Sequence, residues 1–192
     1  GVEEGNAFGT DEFVEWCRLI GSEPYICTNA GNGTPEEMRE WVEYCNATEG
    51  PAARMRAAGG HEEPLNVRHW SIGNENWGGH EIGASTPETW GPLVRRSADL
   101  MLDADPKLTL LAAATADPGW TLPLLKAAGE HLRYVCIHEY WLGLWQDNRM
   151  PGYLPCILNS EGPERTIRRT RDILEEAGFL GRIEIAFDEW NL

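Results

Sequence analysis

Ile183-Glu184-Ile185-Ala186-Phe187-Asp188-Glu189-Trp190-Asn191 is a short apolar run that breaks into two acids, a tryptophan and an asparagine. Trp70-Ser71-Ile72-Gly73-Asn74-Glu75-Asn76-Trp77 has the same design, with Glu75 again flanked by Trp and Asn. The pattern recurs elsewhere in weaker form: Asn29 follows Tyr25-Ile26-Cys27, and His138-Glu139-Tyr140 follows Tyr134-Val135-Cys136-Ile137. Polar groups gathered at the carboxyl ends of several different strands are the habit of the (β/α)8 barrel. A doubly wound sheet fits the alternation of elements equally well. It would place Gly-x-Gly-x-x-Gly after a strand, and none is present. Gly31-Asn32-Gly33-Thr34 lacks the lysine of a phosphate loop.

Working outward, helix and strand patterns alternate. Thr10-Asp11-Glu12-Phe13 reads as a helix start, with Phe13, Cys17 and Ile20 on one face and Gly21 as the stop. Residues 24–27 read as a strand. Thr34-Pro35-Glu36-Glu37 is a strong helix start, with Met38, Trp41, Val42 and Cys45 as its apolar stripe. Residues 49–66, rich in Gly, Pro and Ala, read as a polar connection to a strand at 67–72. Thr86-Pro87-Glu88 opens a helix that turns Trp90, Leu93, Val94 and Met101 inward and stops at Asp105-Pro106. A strand at 108–113, a helix at 121–131 and a strand at 134–137 follow. A long loop covers 139–162. A helix then runs from Pro163 to Gly178 with Ile167, Thr170, Leu174 and Ala177 on one side, and the last strand is 183–187. Five strands with helices between them imply parallel pairing. Their near-continuous apolar character implies cover on both faces.

Composition excludes several roles. The chain has 192 residues, enough for one sizeable core, and no internal linker marks a second domain. Sixteen basic against 31 acidic residues give a net charge of −15. That surface repels phosphate backbones and anionic lipid, so no nucleic-acid and no membrane partner is expected. Five cysteines without a Cys-x-x-Cys pair argue against a disulfide framework or zinc site and lean towards a reducing, cytoplasmic compartment. Cys27 and Cys136 read as small core residues. His61-Glu62-Glu63 and His80-Glu81 fit no defined metal spacing and read as solvated loop, so no metal is expected.

Two carboxylates in matched strand-end positions are the minimum equipment for glycoside hydrolysis. Either glutamate alone is more readily a surface-loop residue; the matched pair reverses that reading. Glu75 and Glu189 end units three βα steps apart, which face one another across a closed barrel. Like charges so close predict that one pKa rises, giving an acid at neutral pH. Asn74 either holds a sugar hydroxyl or is ordinary turn chemistry. His138 and Tyr140 point the same way from an extended strand and either orient a carboxylate or are satisfied by backbone. Trp77, Trp141, Trp145 and Trp190 fall in loops after strands, where flat rings stack on sugars; Trp16, Trp41 and Trp90 read as core.

Phe8-Gly9-Thr10-Asp11-Glu12-Phe13, Glu23-Pro24-Tyr25-Ile26-Cys27-Thr28-Asn29, Trp41-Val42-Glu43-Tyr44-Cys45-Asn46, Ile72-Gly73-Asn74-Glu75-Asn76-Trp77-Gly78, Ile137-His138-Glu139-Tyr140 and Phe187-Asp188-Glu189-Trp190-Asn191 together resemble the α-L-arabinofuranosidases of glycoside hydrolase family 51, in clan A. The resemblance implies a partial (β/α)8 barrel: residues 1–192 as a single incomplete catalytic domain with strands three to seven, the other strands and a C-terminal β-sandwich lying outside this chain. It implies a retaining enzyme with Glu75 as acid/base, Glu189 as nucleophile, and Asn29, Asn74, His138 and Tyr140 binding the arabinofuranose or orienting the nucleophile. It implies no cofactor, arabinose-containing plant cell-wall oligosaccharides as substrates, and leaves a homo-oligomer open for the full-length enzyme. Another clan A activity, such as endoglucanase or xylosidase, is the nearest alternative. A non-catalytic carbohydrate-binding remnant is the second; it need not keep both glutamates.

Overall fold

The structure, a computed structural model, describes residues 5, 7–140 and 152–191. Helix α1 (Thr10–Ile20) leads into β1 (Tyr25–Thr28), α2 (Pro35–Asn46), α3 (Pro51–Ala58), β2 (His69–Ile72), α4 (Pro87–Ala104) and β3 (Thr109–Ala113). Then come α5 (Pro118–Ala128) with a 3₁₀ turn at Gly129–His131, β4 (Tyr134–Tyr140), α6 (Tyr153–Asn159), α7 (Gly162–Glu176) and β5 (Glu184–Asn191). The five strands form one parallel sheet in the order β1-β2-β3-β4-β5. Consecutive parallel neighbours joined by helices are the βα repeat expected above.

The sheet is strongly curled. Four inter-strand gaps would separate β1 from β5 by ~19 Å in a flat sheet. Yet Tyr25 on β1 donates its hydroxyl to Asp188 Oδ2 on β5 at 2.9 Å. Such closure across the concave face is half-barrel geometry. The convex face is buried under the helices, where Trp70, Ile72, Trp90, Val94, Met101, Leu110 and Leu124 are almost wholly covered. Trp90 on α4 donates its indole N–H to Ala113 O at 2.9 Å, tying that helix to the end of β3.

Local chemistry explains the elements. Thr34 caps α2, accepting from Glu37 N at 3.2 Å while Glu37 Oε2 accepts from Thr34 N at 2.7 Å. The stretch read as a polar connection contains α3, opened by Pro51 in the first turn. The Gly and Pro residues that suggested a loop are the helix boundaries. Arg56, on α3, is 1% exposed and donates to the carbonyls of Tyr44, Ala47, His61 and Glu62 at 2.6, 2.9, 3.1 and 3.3 Å. It satisfies backbone acceptors where the chain turns back towards β2.

Some burial expectations fail. Ile20 and Trp16 are 53% and 50% exposed, and the inward face of α1 is Val14 and Cys17. The helix flanks β1, an edge strand, so only one of its sides meets the described residues. Cys27 and Cys136 both face the concave side; Cys27, on the edge strand, is exposed, while Cys136 is covered by Tyr25 and Ser71 and is buried as expected. All five cysteines are free. The loop read at 139–162 contains α6 and the first residue of α7, while Trp141 and Trp145 lie outside the described residues. Among the described residues, no helix is long and apolar enough to cross a membrane.

Candidate active site

The turn after β2 aims Glu75. Gly73 sits at φ +70°, and a Cβ there would lie 2.1 Å from Asn76 Oδ1 and 2.6 Å from Trp90. Two residues on, Glu75 itself holds φ +46°, a left-handed conformation that non-glycine residues seldom adopt. Strain of this kind costs about 1–3 kcal/mol and persists only where the surroundings hold it. Buried Asn76 supplies the hold, donating its amide to Ala30 O at 3.2 Å and Gly83 O at 2.8 Å. The Glu75 carboxyl is thereby directed over the ends of β4 and β5, with only 9% of the residue exposed.

The end of β5 is bent by a bulge. Pairing runs Ile137↔Phe187 and then His138↔Glu189, so Asp188 has no partner on β4. In regular extended chain, Asp188 and Glu189 would face opposite ways. The extra residue lets both reach the same side chain. His138 Nε2 lies 3.3 Å from Asp188 Oδ1, and its Nδ1 lies 3.6 Å from Glu189 Oε2 and 2.8 Å from Glu75 Oε1. Tyr140, two residues along β4, donates its hydroxyl to Glu189 Oε1. Glu139 points the other way and accepts from Thr166 on α7 at 2.5 Å. The alternation of His138 and Tyr140 read from sequence is thus what brings both to the carboxylates.

Three acids and two histidines in contact set one another's charge. Burial pushes His138 down, but the hydrogen bond to Asp188, then that to Glu75, then the charge of Glu189 outweigh it and raise its pKa to about 9. It is an imidazolium at neutral pH, with both ring nitrogens protonated. Burial pushes Glu75 up, yet donation from His138 and from His80 wins, and its carboxyl is held below the usual range. Asp188 is likewise held low: burial opposes, and His138 followed by Tyr25 prevail. Tyr140 is raised to about 12, chiefly by its hydrogen bond to Glu189. The sequence-based expectation of a raised carboxyl pKa is therefore not met by Glu75 in the free site. Like-charge repulsion is absorbed by the histidinium between the two acids.

His80, read above as solvated loop, contacts Glu75: its Nε2 lies 2.7 Å from Glu75 Oε2. Trp77 stands edge-on to the His80 ring, centroids 6.1 Å apart. Glu75, Trp77, His80, Glu81, His138, Glu139, Tyr140 and Glu189 line an open cleft of about 660 Å³, a size suited to a small ligand. Asn74 is exposed and lines a smaller cavity beneath, with His138, Asp188 and Glu189. Asn29 stands apart from both. Its Oδ1 accepts from the backbone of Gly31 at 2.9 Å, and its Nδ2 donates to Asn32 at 2.8 Å. Two donor sets come within 4.8 Å of one another, Glu75-His138-Glu189 and Glu75-His80-Glu81.

Sequence reading missed Asp188, His80 and Tyr25. Asp188 stood in the quoted motif, but strict alternation pointed it away. Tyr25 shows itself only once the sheet is known to curl.

Comparison with known proteins supplies the family. The sequence profile of the alpha-L-arabinofuranosidase 1 domain matches residues 1–142. The chain belongs to this family. A protein of Aspergillus niger named "Probable alpha-L-arabinofuranosidase C" is 35% identical, the alignment covering 98% of this chain and 40% of the relative. The "Intracellular exo-alpha-(1->5)-L-arabinofuranosidase 1" of Bacillus subtilis is 29% identical over 98% of this chain and 39% of its own length. The crystal structure of an alpha-L-arabinofuranosidase from Thermotoga maritima in complex with arabinose superposes with a TM-score of 0.88 at 33% identity, covering 97% of this chain and 38% of that one. The arabinofuranosidase domain described here is thus a partial (β/α) barrel, and it spans about 40% of the length of the curated relatives it matches.

Proposed function

We propose that this chain forms part of the catalytic barrel of a retaining α-L-arabinofuranosidase, which releases terminal non-reducing α-L-arabinofuranosyl units from arabinose-containing cell-wall saccharides. One observation carries the reading. The carboxylates of Glu75 and Glu189, from strands three units apart, converge on a single nitrogen, His138 Nδ1, with oxygens within 4.8 Å of one another. Retaining glycosidases hold their two carboxyl groups about 5–5.5 Å apart, whereas inverting ones leave about 6.5–9.5 Å for a water molecule. The narrow gap favours retention.

In this reading Glu189 attacks the anomeric carbon while Glu75 protonates the leaving oxygen. A covalent arabinosyl ester forms on Glu189. Glu75 then takes a proton from water, which displaces the ester with net retention. The Tyr140 hydroxyl orients the attacking carboxylate. In the free site the proton needed for the first step rests on His138, one hydrogen bond from Glu75 Oε1. A bound sugar excludes water, which disfavours the separated charges and favours the neutral acid. The second step uses Glu75 as a base, and the two imidazole donors suit that role. The chemistry uses no cofactor. The names of the relatives support the substrate class, and the free cysteines together with the relative named intracellular in Bacillus subtilis support a cytoplasmic setting.

The test is made in the complete enzyme. Glu189→Ala abolishes turnover of every substrate. Glu75→Ala slows poor leaving groups far more than nitrophenol, which needs little protonation. Azide restores part of the Glu75→Ala activity and yields a glycosyl azide of retained configuration. Equal loss on all leaving groups removes the acid/base assignment.

A further inference from the structure

Both oxygens of Glu75 are occupied in the free site. Oε1 faces His138 Nδ1 at 2.8 Å, and Oε2 faces His80 Nε2 at 2.7 Å. Each oxygen keeps a second lone pair, but the His80 ring lines the cleft beside Oε2, so a glycosidic oxygen that enters there competes with it for that oxygen. The two histidines are held very differently. The His138 side chain is 7% exposed and is gripped by carboxylates on both nitrogens. The His80 side chain is 55% exposed, rides on the loop after β2, and has Glu81 at 3.7 Å as its other charged neighbour.

We infer that His80 is a displaceable gate: it occupies Glu75 Oε2 in the empty site, and the aglycone of an entering substrate pushes it off. This rests on the reading of Glu75 as the acid/base, and it makes His80 a positioning residue for that acid. The geometry of the loop supports it. A Cβ on Gly78 would lie 2.4 Å from the His80 ring, so the ring packs directly over a glycine that leaves it room to reach Glu75. The Trp77 ring guides it from the side. Among the described residues, the remaining charged and titratable groups on the cleft are Glu81 on the same loop, His138, Glu139 and Tyr140 on β4, and Glu189 on β5.

The gate couples binding to acidity. While His80 donates to Oε2, it stabilises the Glu75 carboxylate. When the aglycone displaces it, that donor is lost at the moment when Glu75 has to carry a proton. The acid is thus kept ionised in the empty site and becomes protonatable in the filled one.

The experiment compares pH profiles in the complete enzyme. The profile of kcat/KM reports the free enzyme, and that of kcat reports the bound complex. His80→Ala should move the alkaline limb of kcat/KM to higher pH, raising kcat/KM on that limb by about threefold, the scale of a partly exposed charged hydrogen bond. The kcat limb should stay where it is, because His80 is already off Glu75 in the complex. Gly78→Ala, which fills the place of the ring without removing histidine, should reproduce the same split. His80→Gln, which keeps a donor, should return the kcat/KM limb towards wild type. Unmoved limbs in both His80→Ala and Gly78→Ala overturn the contact. Equal movement of the kcat and kcat/KM limbs overturns the gate, because His80 then stays on Glu75 throughout. Azide rescue of Glu75→Ala is run alongside; its failure removes the acid/base reading, whereas success with an unsplit profile removes only the gate.

Discussion

Replacing Asp188 by asparagine tests whether the bulge on β5 exists to charge His138. The amide keeps an acceptor for His138 Nε2 and removes the negative charge. In the wild-type site His138 is raised from 6.5 to about 9, with Asp188 the largest of the raising influences, ahead of Glu75 and Glu189. That rise corresponds to about 3 kcal/mol of preference for the charged ring in the folded state. The side chain is 7% exposed, so solvent screens little of it. Shared among three carboxylates with Asp188 leading, its part is about 1–1.5 kcal/mol.

The sign follows from linkage. A folded-state pKa above the unfolded one gives stability that is fully present below pH 6.5 and is lost as pH rises through about 9. Asp188, held below the usual carboxylate range, stays ionised throughout that window. Tyr25 is pushed far above its ordinary value by burial and does not titrate there. Denaturant unfolding of the barrel in wild type and Asp188→Asn, followed by tryptophan fluorescence, should therefore show a gap of about 1–1.5 kcal/mol at pH 6, shrinking to a fraction of that by pH 10. An equal gap at both pH values would mean that Asp188 acts by packing and neutral hydrogen bonding alone, and the charge argument fails.

Tyr140→Phe removes the hydroxyl that Glu189 accepts and should lower kcat about 10- to 100-fold with less effect on KM, measured on an aryl arabinofuranoside. Arg56→Ala leaves four backbone carbonyls without their donor and should cost about 3 kcal/mol or more in chemical denaturation; Arg56→Lys, lacking the planar fork, should recover little of it. Gly73→Ala meets Asn76 and Trp90 at a left-handed backbone position and should both destabilise the barrel and reduce kcat by turning Glu75 aside; unchanged kinetics in a folded variant would refute the aiming role of that turn. A crystal structure of the complete enzyme should place the Glu75 and Glu189 carboxyl carbons about 5–5.5 Å apart, and about 9 Å would exclude retention.

The βα order was legible because its signals are local. Thr34-Pro35-Glu36-Glu37 caps a helix by short-range hydrogen bonds, and each apolar run is long enough for one strand. Elements were missed where local signals compete. Pro51 and Gly59 punctuate like a loop while bounding α3, and the helix is held by Arg56 reaching carbonyls that its own segment does not contain. The exposed side of α1 was misread for a related reason. Periodicity shows that a helix has an apolar face, but not how far its neighbours cover it, and Ile20 and Trp16 stay about half exposed.

The site was legible in its residue types and illegible in its electrostatics. Strand ends predicted that Glu75, His138, Tyr140 and Glu189 would share one rim, and side-chain alternation predicted that His138 and Tyr140 would face the same way. Three departures from regular geometry carry the rest. The bulge turns Asp188 inward beside Glu189, the left-handed backbone at Glu75 swings its carboxyl over β4, and the curl of the sheet brings Tyr25 to Asp188. The first two make partners of His138, and the third ties Asp188 to β1 across the concave face. The consequence reverses the simplest chemical expectation. Two facing carboxylates alone would push one pKa up. With Asp188 added from behind, the ring between them becomes the proton's resting place and Glu75 is held as a carboxylate. On the roles proposed above, a substrate that removes water from the cleft and His80 from Glu75 would alter the balance of charge as well as the shape of the site, and so would convert the resting base into the working acid.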